Sequence, residues 1–138
     1  MSAYSFEAAA KYYIQRAWVH FRAARRLQGG SERTEPLVVL GHHAMMDAAR
    51  ALLFALEAPV DGCEKVLPAF AALVAEGKAT EEMHSMLHES ASLFFKIHRR
   101  SMIPADPRET ESLLNNVRTI LREVRDRIEQ RYGLIEGL

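Results

Sequence analysis

Phe6, Ala10, Tyr13, Ala17, Phe21, Ala24 and Leu27 recur at steps of three and four residues, the spacing of one helical face. Lys11, Gln15, Arg22 and Arg26 fall mostly off that stripe. The pattern predicts an amphipathic first helix from about Ser5 to Gln28, roughly 36 Å long. Gly29-Gly30 ends it, because glycine accepts the left-handed conformation of a helix cap. A second helix opens near Pro36, whose missing N–H is harmless in a first turn, and runs to about Glu57. It carries two stripes: Leu37, Leu40, Ala44, Ala48, Ala51 and Ala55, then Val38, Met45, Leu52 and Leu56. A helix apolar on most sides belongs at the centre, and its alanines let neighbours approach closely.

The second half is more punctuated. Asp61 and Glu64 have the spacing of a capping box, which predicts a third helix from about Cys63 to Glu76, shortened or made irregular by Pro68. Gly77 ends it. Thr80 caps a fourth helix, with Met83, Leu87, Ala91, Phe94 and His98 on one face. That helix stops before Pro104, since the residue before proline avoids the α region. Asp106-Pro107-Arg108-Glu109 is the clearest local signal: an N-cap, a proline at the first helical position and a glutamate completing the box. The fifth helix then runs to about Tyr132, with Leu113, Leu114, Val117, Ile120, Leu121, Val124 and Ile128 inward. No strand alternation, repeat or low-complexity segment interrupts the series. The expected fold is all-α: an up-and-down bundle of four to five helices, with two long antiparallel helices at its base.

Composition narrows the function more than the fold. The 138 residues suit one domain spanning 1–138. Net charge is zero, so any nucleic-acid binding must be local rather than driven by bulk charge. The single cysteine, Cys63, excludes an internal disulfide. No uninterrupted apolar run reaches about 18 residues, and the first residues lack the pattern of a signal peptide. A cytoplasmic protein without membrane contact is expected.

Four groups of residues could carry chemistry. His84 and His88, four apart on one helix, could bind a metal with His42 or His43 as third ligand, although the glutamate of a metalloprotease motif is missing. On the second helix, His43, Asp47 and Arg50 form a polar patch on an apolar element, where Asp47 and Arg50 are spaced to pair. Arg22, Arg25 and Arg26, or Arg118, Arg122 and Arg125, could hold phosphate, but Glu111, Glu123, Asp126 and Glu129 dilute the second set and a solvated helix face is the default for both. His98, Arg99 and Arg100 close the fourth helix, where cations complement the helix dipole. Cys63 has no histidine near it in sequence to activate it as a nucleophile. No cofactor is implied.

Several of these stretches resemble the HEPN family, the higher eukaryotes and prokaryotes nucleotide-binding domain. Tyr13-Ile-Gln-Arg-Ala-Trp-Val-His-Phe-Arg-Ala-Ala-Arg-Arg-Leu27 looks like that family's first helix. His42-His-Ala-Met-Met-Asp-Ala-Ala-Arg-Ala-Leu-Leu53 looks like its second, with His42-His43 where aromatics are usual. The fourth helix ending in Arg99-Arg100, a polar loop with Ala105-Asp106 and a long last helix resemble the region of its signature. The resemblance spans roughly Tyr4 to Ile128.

The family's ribonuclease members carry an arginine, four to six residues, then a histidine in that corner. Here no histidine follows His98, and Ala105, Asp106 and Pro107 stand where it would fall. A carboxylate cannot replace imidazole near neutral pH without a strongly raised pKa. Other members have Ala-Asp-Tyr and pair with a small nucleotidyltransferase; Ala105-Asp106-Pro107 keeps two of those three. The resemblance therefore implies a non-catalytic module of toxin–antitoxin type, a homodimer that binds a partner protein or a nucleotide phosphate near Arg99 and Arg100. A degenerate ribonuclease acting on RNA through Arg100 and His98 is the alternative, and a metal enzyme using His84 and His88 the third.

Overall fold

A computed structural model describes the backbone of residues 3–29, 34–99 and 105–138, and the side chains of these except 3, 4, 98 and 99. Five α-helices follow one another: α1 (Ala3–Arg26), α2 (Glu35–Ala55), α3 (Val66–Ala75), α4 (Glu81–Arg99) and α5 (Pro107–Tyr132), with a 3-10 turn at Cys63–Lys65 before α3. No strand occurs among the described residues. The all-α bundle expected from the periodicity is the fold.

Side-chain pairings give the helix directions. Tyr13 stacks on Phe54 and His20 meets Asp47, so α1 and α2 are antiparallel. Glu89 meets Asn116 and Lys96 meets Glu109, so α4 and α5 are antiparallel. Gly41 faces Leu113 and Glu57 lies beside Arg131, so α2 and α5 run parallel. The result is up-down-up-down, with α3 inserted in the connection from α2 to α4. The two parallel helices nevertheless touch. Gly41 permits it: a Cβ there would stand 2.8 Å from Leu113 Cδ2.

Helix α2 packs against every other helix. By length and composition it could cross a membrane, with a mean hydropathy of 1.3 over its best window, yet 78% of that window is buried within the protein. Its apolar character is that of a core helix. The buried side chains form one cluster, including Ile14 and Phe21 from α1, Met45 and Leu52 from α2, Phe70 from α3, Leu87 from α4 and Leu121 from α5. Ile14, fully buried, extends the expected α1 stripe because α1 packs on both α2 and α5 and needs a wider apolar arc.

Local signals behaved unequally. Asp106 accepts from the Arg108 amide at 2.8 Å and donates its own amide to Glu109 Oε1 at 3.0 Å, the full capping box. Thr80 accepts from the Met83 amide at 3.1 Å, as expected of a cap. Asp61 does not cap: Lys65 takes its carboxylate at 2.6 Å and no side chain caps the turn. Thr34, before α2, instead accepts from the Ala105 amide at 2.7 Å, tying the start of α2 to the start of α5. Helix α2 ends at Ala55, two residues short of expectation, because Ala58 and Glu57 donate back to Leu53 and Phe54 in a Schellman closure.

Candidate functional site

Two consecutive histidines on α2 point about 100° apart, as residues on one helix turn must. His42 turns toward α4, where its Nδ1 meets Ser90 Oγ at 2.7 Å and its ring stacks on Phe94, 4.5 Å between centres. It is 8% exposed, and burial together with the neighbouring His43 lowers its pKa to about 4. His42 is therefore neutral at pH 7. His43 turns outward and is exposed, its ring 5.9 Å from that of His20 on α1.

One turn further along α2, Asp47 is 7% exposed. Its partners come from α1: His20 Nδ1 at 2.9 Å and Arg16 Nε at 3.4 Å, both to Oδ2. Burial raises the Asp47 pKa, and the charges of Arg16 and His20 pull against that rise without cancelling it. The pairing with Arg50 expected from the spacing does not form. Arg50 lies over the Tyr13 ring, 4.9 Å from its centre, and donates to the Val60 carbonyl at 3.4 Å and to Cys63 Sγ at 3.8 Å. The antiparallel register explains this: α1 presents Arg16 and His20 opposite Asp47, and Tyr13 opposite the next turn. The Arg50 Nε is buried without a hydrogen bond.

A groove of about 480 Å³ opens between α4 and α5. Its walls include His88, Ser92 and Lys96 from α4, and Arg108, Ser112 and Asn116 from α5. Lys96 pairs with Glu109 at 3.2 Å, and Asn116 donates to Glu89 at 3.2 Å. The Arg108 and His88 side chains are exposed and make no hydrogen bond or ion pair among the described residues. This volume falls within the range of small-ligand sites, about 300–1,000 Å³.

Of the residues singled out by sequence, His43 and Asp47 fall in one seam, whereas Arg50 is drawn off toward Tyr13 and Val60. His42 is committed to Ser90 and Phe94, so it does not join His84 and His88 around an ion. Among the described residues no three His, Cys, Asp or Glu side chains could hold a metal together. Arg100 and the side chains of His98 and Arg99 lie outside the described residues. In the α5 basic set, Arg125 is taken up by Asp126, Glu129 and the Trp18 ring. Sequence reasoning missed Arg16, His20 and Ser90. Arg16 and His20 are four apart beside the α1 apolar stripe, a polar pair that could have been matched to the lone carboxylate on apolar α2. Compared with family models, curated proteins and solved structures, the chain matches none.

Proposed function

We propose that the chain is a non-catalytic, HEPN-like binding module that holds a nucleotide phosphate in the groove between α4 and α5. The observation that supports this is the placement of Lys96 and Arg108 on facing walls of a ligand-sized groove. A phosphate between them gains charge-assisted hydrogen bonds from both cations, with Ser92 and Ser112 as further donors. Glu89 and Asn116 offer an acceptor and a donor to a base or ribose at the other end. Glu109 and Glu89 offset the two cations, so the described walls are close to neutral. Phosphate held by Lys96 and Arg108, both at the protein surface, is expected to bind more weakly as salt rises.

The same reading includes a protein partner: a second copy of the chain, or a small nucleotidyltransferase of toxin–antitoxin type. Tyr12, Val19 and Phe95 support it, being large apolar side chains left 54–57% exposed. The absence of any histidine after His98 supports binding without RNA cleavage.

Isothermal titration of untagged protein with ATP tests the phosphate site. One saturable site is expected, weakened about tenfold by Arg108→Ala, a loss of about 1.4 kcal/mol. No heat of binding at millimolar ATP, or an unchanged affinity in Arg108→Ala, overturns the assignment. Copurification from the native host tests the protein partner separately.

A further inference from the structure

His20 and His43 face each other across the α1–α2 contact, with ring centres 5.9 Å apart and planes tilted by 49°. Asp47 holds His20 at Nδ1, at 2.9 Å. An ionised carboxylate only accepts, so the Nδ1 proton belongs to His20, and the neutral ring keeps its lone pair at Nε2. That is the state in which histidine binds a metal: one nitrogen donates to a carboxylate while the other faces the ion. His43 is exposed and makes no hydrogen bond or ion pair among the described residues. Its imidazole is unengaged apart from ring contacts with His20, His42 and Phe94.

The separation suits a shared ion. With metal–nitrogen bonds of about 2.0–2.1 Å, each ring centre lies roughly 3.2 Å from the ion, and two rings at a tetrahedral angle are about 5.2 Å apart. The observed 5.9 Å is about 0.7 Å longer, so binding an ion would need the exposed His43 side chain to move toward His20. Local charge does not oppose a cation. Arg16 is also paired with Asp47, and the carboxylate offsets its charge.

We propose that His20 and His43 form a two-histidine site for a divalent transition metal that favours imidazole, such as zinc, nickel or copper, with Asp47 as the positioning residue behind His20. No third side chain completes the site among the described residues, so the remaining positions belong to water or to an exchangeable ligand. Such a site is open and reversibly filled, unlike a closed structural zinc centre. It uses neither the α4–α5 groove nor the nucleotide reading, and stands or falls apart from them.

Calorimetric titration of the untagged full chain with zinc ion at pH 7.5, followed by histidine ring NMR, tests it. One equivalent is expected, with shifts confined to the His20 and His43 rings. His43→Ala, at an exposed position, lowers affinity at least 30-fold with the melting temperature unchanged. Asp47→Asn lowers it about 10–100-fold, the effect of losing a carboxylate behind a ligand histidine. The double variant His84→Ala/His88→Ala serves as the control for fortuitous binding on α4 and leaves affinity intact. The proposal is overturned by affinity unchanged in His43→Ala, by loss in the His84/His88 variant, or by no binding at millimolar zinc. An unchanged affinity in Asp47→Asn removes Asp47 from the site.

Discussion

The His42 ring lies on the Phe94 ring at 4.5 Å, 21° from parallel, while Ser90 holds its Nδ1 at 2.7 Å. The stack and the hydrogen bond join α2 to α4 in one buried spot. Protonation would place a charge between two helices, where burial penalises it. Hence the ring stays neutral in the fold down to about pH 4, against 6.5 for an ordinary histidine.

This sets a pH dependence. Between about pH 4 and 6.5 the unfolded chain binds a proton at His42 that the folded chain refuses, so unfolding is favoured as pH falls. The stability is fully present above 6.5 and declines toward pH 4, by up to about 3 kcal/mol. Urea unfolding at pH 7.5 and 4.5 measures it. His42→Phe keeps a stacked ring, leaves Ser90 without its partner and should flatten this part of the profile. An equally steep fall in that variant would assign the acid sensitivity to other groups.

Two similar-looking caps should respond differently. Asp106→Ala removes a capping box and should cost about 1 kcal/mol, within a range of about 0.5–2. Asp61→Ala removes only an exposed pair with Lys65 and should stay within about 0.5 kcal/mol. Chemical denaturation of both variants makes the comparison. Equal losses would mean that Asp61 contributes through something other than that pair.

Gly41→Val should destabilise by about 1–3 kcal/mol through overpacking against Leu113. The energies should not add: in the background of Leu113→Ala, which opens space at the same place, Gly41→Val should cost much less. Additive losses would place the strain elsewhere than at the contact between α2 and α5.

Glu57 has a φ of 59°, the left-handed region that glycine adopts freely. Relief of a left-handed penalty of about 1–2 kcal/mol exceeds glycine's added chain entropy of about 0.5–1 kcal/mol, so Glu57→Gly should raise stability by roughly 0.5–1 kcal/mol, read as a higher denaturation midpoint. The variant gives up an ion pair with Arg131 that is exposed and 3.8 Å long, so little stability goes with it. A lower midpoint would show that the ion pair outweighs the backbone strain.

Helical stripes were legible because burial imposes a period of 3.6 on any helix with one wet side, and α5 shows every expected inward residue buried. The Asp106 cap was legible because all its atoms lie within four residues of one another. Asp61 and Glu64 have the same spacing without the proline, and there the spelling misled, since Lys65 holds the carboxylate. The α4–α5 groove was not legible. Its lining comes from two helices brought together by packing, and nothing in either segment marks Ser92 or Asn116 as neighbours of a cleft.

The amino-acid order by itself determined that five helices form, where most of them begin and end, and that α2 is the core helix. These depend on period, turn chemistry and composition, which act over a few residues. Tertiary structure alone decided the partners of Asp47 and His42. Within α2, Asp47 has Arg50 one turn away, yet its carboxylate is taken by Arg16 and by His20, the latter 27 residues distant. The choice depends on the register of α1 against α2, set by which apolar side chains interlock. A buried carboxylate then takes the donors that this register places opposite it.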